Sequence, residues 1–290
     1  MALRVARAVQ QREGEEREPG ASRPGAGRLA VARVAGRSAL VACAATSPLH
    51  LFTPRAAGEA VWAIATTHGG GLLAGDEIEL DLQVGPGARA LYGTLSNTRV
   101  YRSTGALTVQ RLTAEIAPGA TLGVLPEPTA CFAGARFRQE QRFALAPGAS
   151  LLLLDAFTEG RGARGERWAF EACLSRNVVE VGGRLLLADG LRLVRGEGPS
   201  PADRMAGMAM VATLVALGPA VAAGARRLLE RHAALPVDPG AAVFSAASPL
   251  GDGVLLRLAA PTVAAGAAFV RESLAFAAPL FGGDPFQRRP

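Results

Sequence analysis

His68-Gly69-Gly70-Gly71-Leu72-Leu73-Ala74-Gly75-Asp76 is the stretch that decides between two folds. Within it, Gly69 to Ala74 satisfies the G-x-G-x-x-[GA] spacing of a dinucleotide-binding loop, and a strand-like run from Val61 to Thr67 precedes it. Such a loop must open into a helix whose N-terminus holds the pyrophosphate. Here Gly75-Asp76 leads instead into Ile78 to Val84, where Ile78, Leu80, Leu82 and Val84 alternate with Glu79, Asp81 and Gln83. A period of two is the signature of a half-buried strand. The glycines therefore connect two strands, and no NAD, ATP or GTP site follows from them. A Walker loop is excluded separately, because the chain contains no lysine.

The same pattern extends outward from Leu29 to about Val194, as short runs of Val, Leu and Thr punctuated by Gly and Pro. Gly85-Pro86-Gly87-Ala88, Pro118-Gly119-Ala120 and Pro147-Gly148-Ala149 recur within it. Their spacing of roughly thirty residues is in the range of repeated structural units. Gly182-Gly183 reads as a fourth, degenerate copy. Proline fixes φ on entry to a turn and glycine supplies a positive φ, so the repeat predicts stacked hairpins in a layered or solenoid-like β architecture. The competing explanation is only that Pro-Gly is common in turns.

Beyond Arg195 the character changes. Ser200 or Asp203 is placed to cap a helix from about Arg204 to Leu217, a second helix is predicted from Pro219 to His232, and a third from about Pro261 to Phe276. Short strands are expected near Val243 and over Val254 to Leu258, and Gly282 to Pro290 reads as exposed and flexible. Met205 to Ala225 carries no charge and has the length of a membrane span. Its Ala and Gly content and the central Gly218-Pro219 favour two small-residue helices packed inside the protein. The expected organisation is a disordered tail over 1–26 and one domain over 27–290, β-rich to 195 and mixed thereafter.

With 290 residues, 49% of them hydrophobic, the chain can bury a large core. Its charge of +6 comes from scattered arginines with no aromatic-flanked block, so nucleic acid is not the expected partner. The charge reads as a solubility property, or as preparation for an acidic protein partner. Cys43, Cys131 and Cys173 are odd in number and far apart, which argues against a disulfide framework and for a reducing cytoplasm. Met1 to Val9 lacks the continuous apolar run of a secretory signal.

Candidate chemistry is sparse. His50, His68 and His232 are isolated in sequence, and metal sites need convergent ligands, so structural or surface roles are expected for each. Were a transition metal to pass through, His68 and Cys131 are the ligands to test. Asp155, Glu159 and Glu166 lie close to Arg161, Arg164 and Arg167, so these carboxylates are expected to be ion-paired and ionised, a poor state for a general acid. Gly160, Gly162 and Gly165 mark a tight loop there. The sequence contains no G-x-S-x-G elbow or H-E-x-x-H helix, which argues against an enzyme.

Several segments together carry a family resemblance: Ser47-Pro48-Leu49, Gly70-Gly71-Leu72-Leu73-Ala74-Gly75-Asp76, and Thr94 to Ser103 with Arg99, Tyr101 and Arg102. They continue with Leu125-Pro126-Glu127, Phe132 to Phe137, Gly160-Arg161 with Gly165-Glu166, and Leu186 to Asp189. In this order the chain resembles the UreD (UreH) family of urease accessory proteins from about Gly27 onward. Arg99 stands where that family commonly has lysine, Val124 where it has tryptophan, Pro128 where it has Glu and Gly190 where it has arginine. The resemblance implies a β-rich superhelix with a few helices and no catalytic activity. It also implies partners, namely urease apoprotein subunits, an F-type accessory protein and a G-type GTPase, with nickel as transient cargo and no permanent cofactor. On this reading Pro261 to Pro290 would meet the F-type partner, and Thr94 to Ser103 would face urease or line the nickel route. The alternatives are a β-solenoid enzyme using Asp155 and Glu159 on an acidic small-molecule substrate, or a small-molecule binding module.

Overall fold

The structure is a computed structural model describing residues 24–54, 58–236 and 238–287. It opens with two antiparallel strand pairs, β1 (Ala26–Val34) with β2 (Arg37–Ala45), and β3 (Leu49–Phe52) with β4 (Val61–Thr67). Three coils follow. The first runs through β5 (Glu77–Val84), β6 (Arg89–Thr94) and β7 (Thr98–Val100), and the second through β8 (Thr108–Ile116), β9 (Thr121–Val124) and β10 (Thr129–Cys131). The third has β11 (Arg136–Leu145) and β12 (Ser150–Thr158), and leads to the antiparallel hairpin of β13 (Ala172–Val181) and β14 (Arg184–Val194). The remainder is α1 (Pro201–Arg204), β15 (Met210–Leu217), α2 (Ala222–Ala233), β16 (Phe244–Leu250), β17 (Gly253–Ala260), α3 (Val263–Ser273) and α4 (Ala278–Phe281).

Among the described residues the strands form two sheets, one of seven and one of ten. The first is ordered β14-β13-β11-β8-β5-β1-β2; the second follows β16-β17-β15-β12-β9-β6-β4-β3, with β10 and β7 branching from β12. The coils stack in parallel, β5 on β8 on β11 in one sheet and β6 on β9 on β12 in the other. Strand alternation explains why the layers meet. Ile78, Leu80, Leu82 and Val84 of β5 point into the inter-sheet core, while Glu77 and Asp81 stay in water. A second core lies on the outer face of the ten-stranded sheet, where Leu152, Leu154, Leu214 and Leu256 are covered by Leu228 of α2, Val270 of α3 and Phe281 of α4.

The Pro-Gly repeat turns the chain as its chemistry predicts, but between layers instead of within one. Ala88, Ala120 and Ala149 each donate their N–H to the carbonyl three residues back at 3.0 Å, and Gly87, Gly119 and Gly148 have φ of 64°, 69° and 79°. Proline before a positive-φ glycine makes a type II turn. The hairpin expectation is thus corrected, since β5 and β6 lie in different sheets and each pairs with the next coil. Gly182-Gly183 is not a copy of these turns; it joins β13 to β14 within one sheet.

Two further expectations fail for identifiable reasons. The helix expected from Arg204 to Leu217 is a single turn, α1, capped by Ser200 and Asp203 in a reciprocal capping box, followed by strand β15. β15 lies between β12 and β17, with Leu214, Val215, Ala216 and Leu217 all buried. A strand buried on both faces loses the period of two and reads as a continuous apolar run. The same strand accounts for the apparent membrane span, and among the described residues no single helix is long and apolar enough to cross a membrane. Secondly, the chain after α4 is packed, not free. Trp62 Nε1 donates to the Phe281 carbonyl at 2.8 Å, Pro285 is buried, and Phe286 packs on the second core. The strands near 243 and 254 and the helices after 219 and 261 form as expected. Most of the expected tail, residues 1–23, lies outside the described residues, as do 288–290.

Candidate functional site

The coils have two unlike edges. One carries the tight Pro-Gly turns. At the other, longer loops leave β4, β7 and β12, short connections leave β6 and β10, and the structure gathers most of the motif residues there. Parallel pairing stitches these loops together: Leu72 bridges Val100, β7 pairs with β10, and β10 with β12.

Each loop is held by identifiable bonds. Leu72 donates its N–H to the Arg99 carbonyl at 2.7 Å and accepts from the Tyr101 N–H at 2.9 Å, so the glycine stretch lies flat against residues 99–101. This close approach requires Gly71, since a Cβ there would sit 2.6 Å from the Tyr101 ring and 2.7 Å from the Arg99 carbonyl. Gly75 has φ 86°, and the Asp76 carboxylate accepts from the Leu73 N–H at 2.7 Å, closing the turn into β5. Thr94 Oγ1 donates to the Ser96 carbonyl and accepts from the Glu127 N–H at 3.0 Å, tying the loop after Pro126 to the one after β6.

An aromatic and ionic chain joins the remaining loops. Tyr101 meets Phe132 edge to face at 5.5 Å, and the Arg161 guanidinium lies 4.6 Å from the Phe132 ring centre. Arg161 also forks onto Glu166, Nε to Oε2 at 2.8 Å and Nη2 to Oε1 at 2.5 Å, and the Ala133 N–H adds a bond at 3.3 Å. The hydrogen bond from Arg161 is the main reason the Glu166 carboxyl is held below its ordinary range. Gly160 presses on the Cys131 carbonyl, where a Cβ would come within 2.7 Å, and Gly165 takes φ 74°. Glu159 pairs with Arg167. The expectation of ion pairing therefore fits Glu159 and Glu166.

Asp155 departs from it. It points between the sheets, away from every one of those arginines, and its carboxylate accepts from Gln139 Nε2 at 2.7 Å, Ser175 Oγ at 2.7 Å and Asn177 Nδ2 at 2.8 Å. Gln141 extends the network to Asn177 at 2.9 Å. Burial pushes the carboxyl pKa up against the opposing pull of these hydrogen bonds. A cavity of about 220 Å³ beside it is lined by Asp155, Phe157, Thr213, Asp189 and Arg257. Asp189 is ion-paired with Arg257 there, apart from the other motif positions. The network was missed in sequence although a signal existed. Gln139 and Gln141 share a strand face with Phe137 and Phe143, so two amides occupy core positions.

His68 and Cys131 are not brought into one site. Cys131 is in the inter-sheet core, its Sγ 3.9 Å from that of Cys173, although the three cysteines looked unrelated in sequence. That contact, together with burial, holds the Cys173 thiol well above its ordinary value. His68 is exposed and lies directly against His50, so neither is isolated as expected. Among the described residues no group of three or more His, Cys, Asp or Glu is arranged to hold a metal.

The outward face of the long-loop edge is basic and apolar. Arg99, Arg102 and Arg164 are exposed and form no ion pair among the described residues, and Leu73 and Leu95 project beside them, 60% and 47% exposed. Asp155 and Glu159, the carboxylates of the enzyme alternative, face different environments, one between the sheets and one paired with Arg167.

Comparison with known proteins gives a consistent sequence match. A family model described as UreD urease accessory protein matches residues 23–290. The urease accessory protein UreD of Anaeromyxobacter sp. (strain Fw109-5) is 56% identical over 260 residues, covering 90% of this chain and 88% of that protein. UreD of Sorangium cellulosum (strain So ce56) is 45% identical over 262 residues, with 90% and 83% covered. Urease accessory protein D of Arabidopsis thaliana is 31% identical over 286 residues, with 88% and 97% covered. All three are named as accessory proteins to urease and not as enzymes. The chain belongs to the UreD family of urease accessory proteins.

Proposed function

We propose that this chain is a non-catalytic scaffold in urease maturation. It binds the urease apoprotein through its long-loop edge and, together with an F-type accessory protein and a G-type GTPase, supports the loading of nickel. Nickel is cargo in this reading, and the nucleotide belongs to the GTPase. The observation that carries the proposal is convergence. Residues from Gly70 to Glu166, far apart in sequence, are braced by side-chain and backbone bonds into one edge on which Arg99, Arg102 and Arg164 form no ion pair among the described residues. A basic rim around exposed leucines favours an acidic protein partner through charge complementarity. The opposite flank, α3 to Phe286 over the second core, offers a separate helical surface for the F-type protein.

The test is co-expression of urease subunits and the other accessory proteins with and without this chain, at limiting nickel. Urease activity should depend on the chain, and complexes captured on a tagged copy should contain urease subunits. Equal activity in both arms refutes the proposal.

A further inference from the structure

His50 lies on β3, and His68 begins the turn after β4. In the antiparallel register His50 faces Thr66, which makes His68 its diagonal neighbour on the same face of the sheet. The pairing continues past the strand ends, because the His68 N–H donates to the Pro48 carbonyl at 2.9 Å. Backbone geometry, not chance side-chain placement, therefore sets the two imidazoles together. Both are exposed, their ring centres are 4.0 Å apart with planes at 85°, and their Nε2 atoms meet directly.

A ring nitrogen of neutral imidazole carries either a proton or a lone pair. Two Nε2 atoms turned on each other are satisfied by a single shared proton or by a cation between them. Imidazole nitrogen suits nickel, zinc and copper, not the oxygen-seeking magnesium or calcium. We propose that His50 and His68 form a two-ligand surface site for a divalent transition-metal ion, coordinated through both Nε2 atoms and completed by water or by a ligand from a docked partner. Tetrahedral bonds of about 2.0–2.1 Å place two such nitrogens about 3.4 Å apart. Exposed rings reach that spacing by small side-chain rotations.

Among the described residues no third His, Cys, Asp or Glu closes the set. The site is therefore open, and a metal held by two ligands exchanges readily, as cargo must. A Cβ at Gly70 would lie 4.0 Å from Arg99 Nη1, so a guanidinium stands nearby and weakens cation binding. The inference rests on the proposed function only in naming nickel; zinc, as a second probe, reports the site independently.

The experiment is calorimetric titration of the full-length chain with nickel chloride, zinc chloride and magnesium chloride, for wild type, His50→Ala and His68→Ala. Both residues are exposed, and circular dichroism confirms that the variants fold. Wild type is expected to take one equivalent of nickel or zinc and no magnesium, with at least a tenfold loss of affinity in either variant. X-ray absorption on the nickel-loaded wild type should show two imidazole ligands. Affinities unchanged in both variants, or a nickel shell without imidazole, would overturn the site and leave a proton-sharing pair; urease activation is no part of this readout, so the two proposals fail separately.

Discussion

Replacing Asp155 tests the inter-sheet network directly. In Asp155→Ala, Gln139, Ser175 and Asn177 lose the acceptor that each now reaches within 2.8 Å. A buried donor left without a partner costs about 1–3 kcal/mol. Gln139 and Ser175 already touch at 3.3 Å and can satisfy one another in part. With two donors effectively stranded and a carboxyl-sized void, the expected cost is about 3–5 kcal/mol, a large share of a typical domain's stability. Asp155→Asn keeps the shape but turns an amide donor toward donors, and should cost less. The two states of the carboxyl add a pH signature. Its pKa is raised in the folded protein above the ordinary 3.8, chiefly by burial. Its contribution is thus fully present below about pH 3.8 and is lost as pH rises through the folded value, by up to about 1.4 kcal/mol per pH unit. Asparagine has no such loss. In urea titrations from about pH 4 to about pH 8, followed by tryptophan fluorescence, the deficit of Asp155→Asn relative to wild type should shrink as pH rises. A deficit that stays constant, or an alanine variant within about 1 kcal/mol of wild type, would refute the buried-network account.

Other variants separate the edge's structure from its use. Gly71→Ala should lower stability by about 1–3 kcal/mol through overpacking against Tyr101 and the Arg99 carbonyl, and an unchanged melting temperature would contradict that contact. Glu166→Gln should speed hydrogen exchange across 159–167 at neutral pH. Because the Glu166 pKa is lowered by Arg161, the wild type should keep its protection above about 4.5 and lose it only as pH falls through the lower folded value. Equal exchange in the two proteins would show that the ion pair does not brace the loop. The double reversal Arg99→Glu, Arg102→Glu should leave stability within about 0.5 kcal/mol yet reduce urease activation in co-expression, whereas unimpaired activation would move the docking surface elsewhere.

What could be read in sequence was local. The alternation of Ile78 to Val84 showed a one-sided strand, the missing helix after Asp76 removed a nucleotide site, and Pro-Gly-Ala predicted positive-φ glycines. Partner choice was not readable. A type II turn reverses the chain equally well whether the returning strand lies beside its predecessor or across the core from it, so hairpins and coils share one signature. β15 was misread because burial on both faces erases the period that would have marked it as a strand. Histidines 50 and 68, and cysteines 131 and 173, looked isolated because their proximity depends on strand registers that spacing does not encode. The motif residues were legible only as a set. That most of them share one edge follows from coil stacking, which returns the chain to the same side every turn.

Coil stacking also bears on how the molecule is made. Along one sheet the strands after β1 run β5, β8, β11, β13 and β14, and along the other β4, β6, β9, β12 and β15, both in order of synthesis. Each coil leaving the ribosome can dock on the one completed before it, so assembly can proceed as one-dimensional growth with its template always present. Only the last step breaks this order, because β17 must insert between β15 and β16. Until it does, β15 presents an uncovered apolar edge, and the chain remains open to aggregation until β17 has been made and inserted.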